Sequence, residues 1–358
     1  MTQVAESPST PTVGTPTFTL FLISVIGLFL ELLLIRWVST EIRIFAYLQN
    51  TVLVVCFLGL GMGCWDSRRK PFVLRELLVP LAVLTALLAI PTTRIALGRI
   101  SEMLSGFGGL VIWGESETAS NWSTTGPVIL GSALTFGLMV LLWDIFVPVG
   151  RLLGKLLDEH PRPIWAYSVN VAGSLVGIWL FVGMSAAYLP PVAWFGLFAA
   201  ACIGLIGTGG KSRRGDAGFL TAIVAMSAVA GYEPGWNEVR WSPYQKLSLQ
   251  EMPADGTHTP SFWHALGGER VPGSLEMGRY FIGVNNIGYQ VMLDLRPEHV
   301  KAKSEAKPNI YPPEQIGYSQ YDLPAKFHPK PENLLIVGAG SGNDAAGRCV
   351  TELDVSSL

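Results

Sequence analysis

From Phe18 to about Gly231 the apolar residues fall in blocks of bilayer length. A helix needs about 20 apolar residues to cross the hydrocarbon core of a membrane. The pattern predicts spans near 17–38, 44–64, 72–91, 126–149, 164–186, 189–208 and 216–232. The first, second, fourth and fifth are long and predominantly apolar. The third is interrupted early by Arg75 and Glu76, and the seventh is short and Ala-rich, so either could instead lie in the interface. Residues 1–16 are rich in Ser, Thr and Pro and hold no basic residue, which reads as a disordered tail and not a signal peptide. Beyond Gly231 charges, His and Pro rise to soluble-protein frequency. The chain is expected to divide into a membrane bundle, 17–232, and a shorter water-soluble half.

Composition agrees. Only 15% of residues are charged against 49% hydrophobic, where a soluble domain carries about 25% charged residues. An ordinary cytosolic enzyme is excluded. A net charge of -2 gives no basic field for nucleic acid, so the bilayer is the expected partner. The four cysteines, Cys56, Cys64, Cys202 and Cys349, show no metal spacing, and the first two read as small hydrophobes beside an apolar run. Basic groups at 68–70, at Arg151, Lys155 and Arg162, and at 211–214 fall on one side of the predicted spans. The positive-inside rule makes that side cytoplasmic. Seven spans would then put the soluble half outside, which conflicts with a cytosolic cofactor and leaves the topology open.

Polar groups inside apolar spans are costly and informative. Glu31 and Arg36 share the first span at a spacing awkward for a direct pair. They read as a structural feature near an interface, with Arg36 snorkelling, in preference to an ion path. Asn170 and Asp144 are the other two candidates, with Asp144 close to a predicted span end. Gly59, Gly61 and Gly63, and the GxxxG pair Gly173 and Gly177, predict close helix contacts, equally within one bundle or between two. The stretch 92–125 reads as a long loop, in which Asn121-Trp122-Ser123 is a formal glycosylation acceptor of little weight.

In the soluble half, residues 240–298 read as a small β-domain. Leu247 and Leu249 share one face of a strand, and a hairpin over 280–293 turns at Asn285-Asn286, because Asn tolerates positive φ. Residues 251–279 read as a loop, where His258 and His264 have no metal-type companions. A charged linker follows over 299–330. The sharpest signal is Asn333-Leu334-Leu335-Ile336-Val337, a run typical of a buried parallel strand, leading directly into Gly338-Ala339-Gly340-Ser341-Gly342-Asn343-Asp344. Glycines after a strand let the backbone turn tightly and approach a nucleoside or phosphate at a helix N-terminus. The spacing lacks the later Gly of a dinucleotide fingerprint and carries no P-loop Lys, which favours an S-adenosyl compound.

These pieces together resemble the spermidine synthase-like family, in particular members with a multi-pass N-terminal membrane region. The likeness covers the Glu31/Arg36 span, Phe57–Gly63, Tyr167–Gly177, Ser242-Pro243-Tyr244-Gln245, Tyr321-Asp322-Leu323-Pro324 and Leu335–Asp344. It implies a multi-pass helical bundle, a small β-domain and a Rossmann-like α/β domain beginning at 331–358. It also implies transfer of an aminopropyl group from decarboxylated S-adenosylmethionine to a polyamine. Gln245 matches the family's Gln near the nucleoside, and Gly338, Gly340, Ser341, Gly342 and Asp344 fall in its cofactor loop. Ser341 stands where the family carries Asp, so methyl transfer from S-adenosylmethionine is an open alternative.

The acidic residue expected about 20 positions past the glycines to hold the ribose has no match. Glu352 and Asp354 come too early, and the family's later catalytic Asp has no counterpart. The chain therefore reads as a truncated form, with a frame change after Ala346, expected to be inactive and to bind no cofactor, while its full-length parent binds the donor. The alternative is a multi-pass transport or scaffold protein with a vestigial soluble tail.

Overall fold

The computed structural model describes residues 14–104, 122–208, 215–230, 232, 238–251, 278–294, 297–306, 335–336, 340 and 342–343. The chain forms two compact units, one of residues 1–232 with 241–244, the other of 233–240 with 245–358.

The first unit is helical: α1 (Gly14–Glu41), α2 (Arg43–Tyr47), α3 (Gln49–Asp66), α4 (Leu74–Ala89), α5 (Pro91–Gly98), α6 (Ile100–Leu104), α7 (Trp122–Asp158), α8 (Pro163–Ala186), α9 (Pro191–Gly207) and α10 (Asp216–Val229). Every predicted span coincides with a helix. Among the described residues three are long and apolar enough to cross a membrane: Pro16–Glu41, Thr125–Asp158 and Pro163–Ala186. A fourth results if Leu74–Ala89 and Pro91–Gly98, bent by 83°, count as one span. By length and composition, the described residues thus supply three or four of the seven predicted spans. Asn50–Asp66, Pro191–Gly207 and Asp216–Val229 are shorter apolar helices; 17 residues rise only about 25 Å, against a hydrocarbon core of about 30 Å.

α1 is the central element, with 61% of its apolar window buried against 28% and 22% for the other two long helices. Leu20, Ile23, Ile26, Leu30, Leu33, Leu34 and Trp37 are all at most 1% exposed. Edge-to-face ring contacts run from Phe29 to Phe181, Trp194 and Trp241 at centroid separations of 5.8, 5.4 and 5.3 Å, a geometry that the ring quadrupoles favour. α8 instead exposes Trp165, Tyr167 and Trp179.

The segment read as a loop after residue 91 begins with two further helices. Ile90 is extended, as a residue before proline prefers, and Pro91 then opens α5 at its first position, where the missing N–H costs nothing. α7 continues to Asp158, past the expected end at 149. Its basic turns find partners: Arg151 Nε donates to Asp66 Oδ2 at 3.1 Å, and Arg68 donates twice to Asp158 at 2.9 Å. The Asp158 carboxylate beside Arg68 holds that guanidinium above the ordinary arginine range. These pairs place the first two basic clusters together, as the loop pattern required.

The second unit contains β1 (Glu238–Trp241), β2 (Lys246–Glu251), β3 (Gly278–Val284) and β4 (Ile287–Leu293) in one sheet of order β1-β2-β3-β4, followed by α11 (Pro297–Ala306). β2, β3 and β4 pair antiparallel in sequence. The hairpin turns at Asn285 and Asn286, with φ of 50° and 63°, the left-handed pair a two-residue turn of that type demands. The face shared by Leu247 and Leu249 is the more exposed one: Lys246 and Ser248 are buried, and Leu247 is 37% exposed. Lys246 is drawn in by the turn, since its Nζ donates to Asn286 Oδ1 at 2.7 Å and its N–H to Asn285 Oδ1 at 3.0 Å. α11 stands where a linker was expected, opened by Pro297 with Glu298 in its first turn, both favourable there. The Rossmann-like layer is not among the described residues. Leu335 and Ile336 carry no strand pairing, and Leu335 is 86% exposed, contrary to a buried parallel strand.

Candidate functional site

The glycine turn of the second unit is described at three points. Gly340 and Gly342 have φ of 55° and 84°, values a side chain makes costly. A Cβ on Gly340 would meet the Gln290 side chain, whereas one on Gly342 would enter open space. Asn343 is buried, and its Oδ1 accepts the Leu293 N–H at 3.0 Å, fixing the end of the turn to β4. This arrangement fits backbone approach to a ligand on the Gly342 side. Asn343 and Gln290 were not foreseen. The former was visible as the polar residue closing the glycine run, but its partner strand was not.

Gln245 is exposed immediately before β2. β3 lies between that strand and β4, which Gly340 meets. Gly338, Ser341 and Asp344 lie outside the described residues, as do Asn121, His258, His264, Cys349, Glu352, Asp354 and 321–324. Among the described residues no three His, Cys, Asp or Glu groups are placed to hold a metal ion.

In the helical unit the four polar groups singled out from the sequence do not converge. Glu31 is 1% exposed, and neither carboxylate oxygen has a hydrogen-bond partner. Arg36 does not pair with it. Its guanidinium donates to Ser185 Oγ and to the Ser242 carbonyl and lies 4.9 Å from the centroid of the Trp194 ring. It is thus held by its neighbours within the unit, which replaces the snorkelling expectation. Asn170 Oδ1 accepts the Ser24 hydroxyl at 2.8 Å. Asp144 is exposed on α7, 14 residues before the helix ends.

Sequence reasoning also missed a buried ion pair. Arg94 Nε lies 3.6 Å from Glu41 Oε2, with side chains 3% and 0% exposed. The same guanidinium donates to the carbonyls of Ala230 and Tyr232 at 3.1 and 2.8 Å. Arg94 fell in the presumed loop, so only the α5 fold could place it. Cys56 and Cys202 are buried free thiols and Cys64 is partly buried, in keeping with the small-hydrophobe reading of Cys56 and Cys64. Comparison with known proteins finds no matching family model, no matching curated protein and no matching solved structure.

Proposed function

We propose that the chain belongs to a membrane-anchored transferase in which an S-adenosyl donor sits against the Gly338–Asp344 turn. In this reading the activity is transfer of an aminopropyl group to a polyamine, or of a methyl group to another small acceptor. The helical unit serves as the anchor. The observation that carries this reading is the pair of positive-φ glycines, Gly340 and Gly342, with the Asn343 carboxamide holding the end of the turn to β4. A backbone without side chains at such a turn can bring its N–H groups against a nucleoside or a carboxylate, and an Asn anchor keeps those groups pre-aimed.

In this reading Gly338, Gly340 and Gly342 supply the approach surface, Ser341 and Asp344 its polar edge, and Gln245 a contact to the nucleoside. Calorimetric titration of the native protein in detergent with S-adenosylmethionine and with its decarboxylated form tests it. One of the two is expected to bind saturably. Gly340→Val should weaken that binding by at least about tenfold, because a β-branched residue is strained at positive φ and its Cβ collides with Gln290. No binding of either compound, or equal binding by the variant, overturns the reading.

A further inference from the structure

A cleft of about 560 Å³ opens between α4 and α7, within the size range of small-molecule sites. Val79, Val83 and Leu141 give it apolar walls. Two backbone acceptors in it lack their helical partners. Pro80 and Pro148 lie inside their helices. Neither has an N–H to give the carbonyl four residues earlier, so the carbonyls of Glu76 and Asp144 lose their helical donors. Both residues line the cleft.

The Asp144 carboxylate is exposed and has no hydrogen bond or ion pair among the described residues. Of the cations lining the cleft, Arg151 pairs with Asp66 and Glu76, whereas Arg75 has no hydrogen bond or ion pair among the described residues and lies 5.3 Å from the centroid of the Phe219 ring. An ionisable group midway along an apolar helix is costly without a partner. Acceptors without donors, between hydrocarbon walls, suit a ligand that brings N–H groups and positive charge on a short alkyl chain.

We propose that this cleft binds a small primary alkylammonium, its –NH3+ held by the Asp144 carboxylate and by the freed carbonyls of Glu76 and Asp144. The inference is independent of the transferase reading. Depth separates a soluble amine from a lipid headgroup. Asp144 precedes Arg151 by seven residues, about 10 Å along α7 into its apolar stretch, whereas the amine of a phospholipid lies outside its phosphate.

The test is calorimetric titration of n-hexylammonium chloride into the full chain in phosphatidylcholine nanodiscs, with empty discs as the blank. Saturable binding is expected, weakened at least about tenfold in Asp144→Asn, as for a hydrogen bond to a charged group. Hexyltrimethylammonium, which keeps the charge and lacks the three N–H donors, should bind at least about tenfold more weakly. Pro148→Ala returns a donor to the Asp144 carbonyl, leaves the carboxylate in place and favours the helix. It should weaken binding about threefold or more. Equal affinity for wild-type and Asp144→Asn, or for the two ammonium compounds, overturns the proposal. So does loss of hexylammonium binding on adding phosphatidylethanolamine to the disc, which would make the site one for a headgroup.

Discussion

Arg94 illustrates what a single side chain does in an apolar interior. Its charge is balanced by Glu41, and two of its nitrogens close backbone carbonyls beyond α10. Deleting one member of a buried pair strands the other charge, at a cost of about 3–5 kcal/mol, whereas replacing both by hydrocarbon is often neutral. Arg94→Leu should therefore destabilise the helical unit by about that amount in denaturant titration, and Arg94→Leu with Glu41→Leu should recover most of the loss. A double variant no better than the single one would mean that the bonds to Ala230 and Tyr232, and not the ion pair, dominate. Glu31 is the contrasting case. It is buried with no hydrogen-bond partner at either carboxylate oxygen, in the middle of the central helix.

At the scale of the helix, the glycines sort by face. Gly59 and Gly63 are four residues apart and look at α7, where an added Cβ on Gly59 would stand 2.7 Å from the Trp143 carbonyl oxygen. Gly61, between them, points elsewhere and meets nothing within 4 Å. Gly173 and Gly177 of α8 sit against α1, with the corresponding atoms 2.6 Å from Phe21 O and 2.5 Å from Val25 O. The GxxxG signal is thus used inside the bundle. Gly177→Leu should separate α1 from α8 and cost about 1–3 kcal/mol or more. Gly61→Leu should stay within about 0.5 kcal/mol of wild-type. Thermal unfolding in one detergent compares the two, and equal losses would contradict the assignment of faces.

Across the molecule, the segment that leaves the helices is fastened back onto them. The residues Trp241–Tyr244 belong to the helical unit. Trp241 is 4% exposed against Trp194, and the Ser242 carbonyl receives Arg36 from the central helix. Arg36→Met removes that donor and keeps the aliphatic stem. It should speed amide hydrogen exchange over 241–244 by about tenfold or more, while exchange in the β3–β4 hairpin stays unchanged. Unchanged exchange at 241–244 would show that the ring contacts alone hold the segment.

The sequence by itself determined where the long apolar helices lie, because continuous apolar runs of helical length leave the chain little else to form. It also determined the hairpin turn, because two adjacent asparagines tolerate the left-handed backbone that the turn needs. Gly340 and Gly342 take positive φ for the same local reason, within the glycine run that the sequence singled out. What depends on distant partners was decided only in three dimensions. Hydropathy could not show that α4 ends at Ala89 and that α5 leaves it at an 83° bend. Nor could spacing show that Arg36 turns to Ser185, Ser242 and Trp194, since residues 149 and 206 positions away supply those partners. Alternation likewise missed the buried face of β2, because Lys246 goes inside to meet a turn 40 residues later. Local chemistry fixes backbone shape, whereas the fate of a charge depends on which distant side chains the fold brings to it.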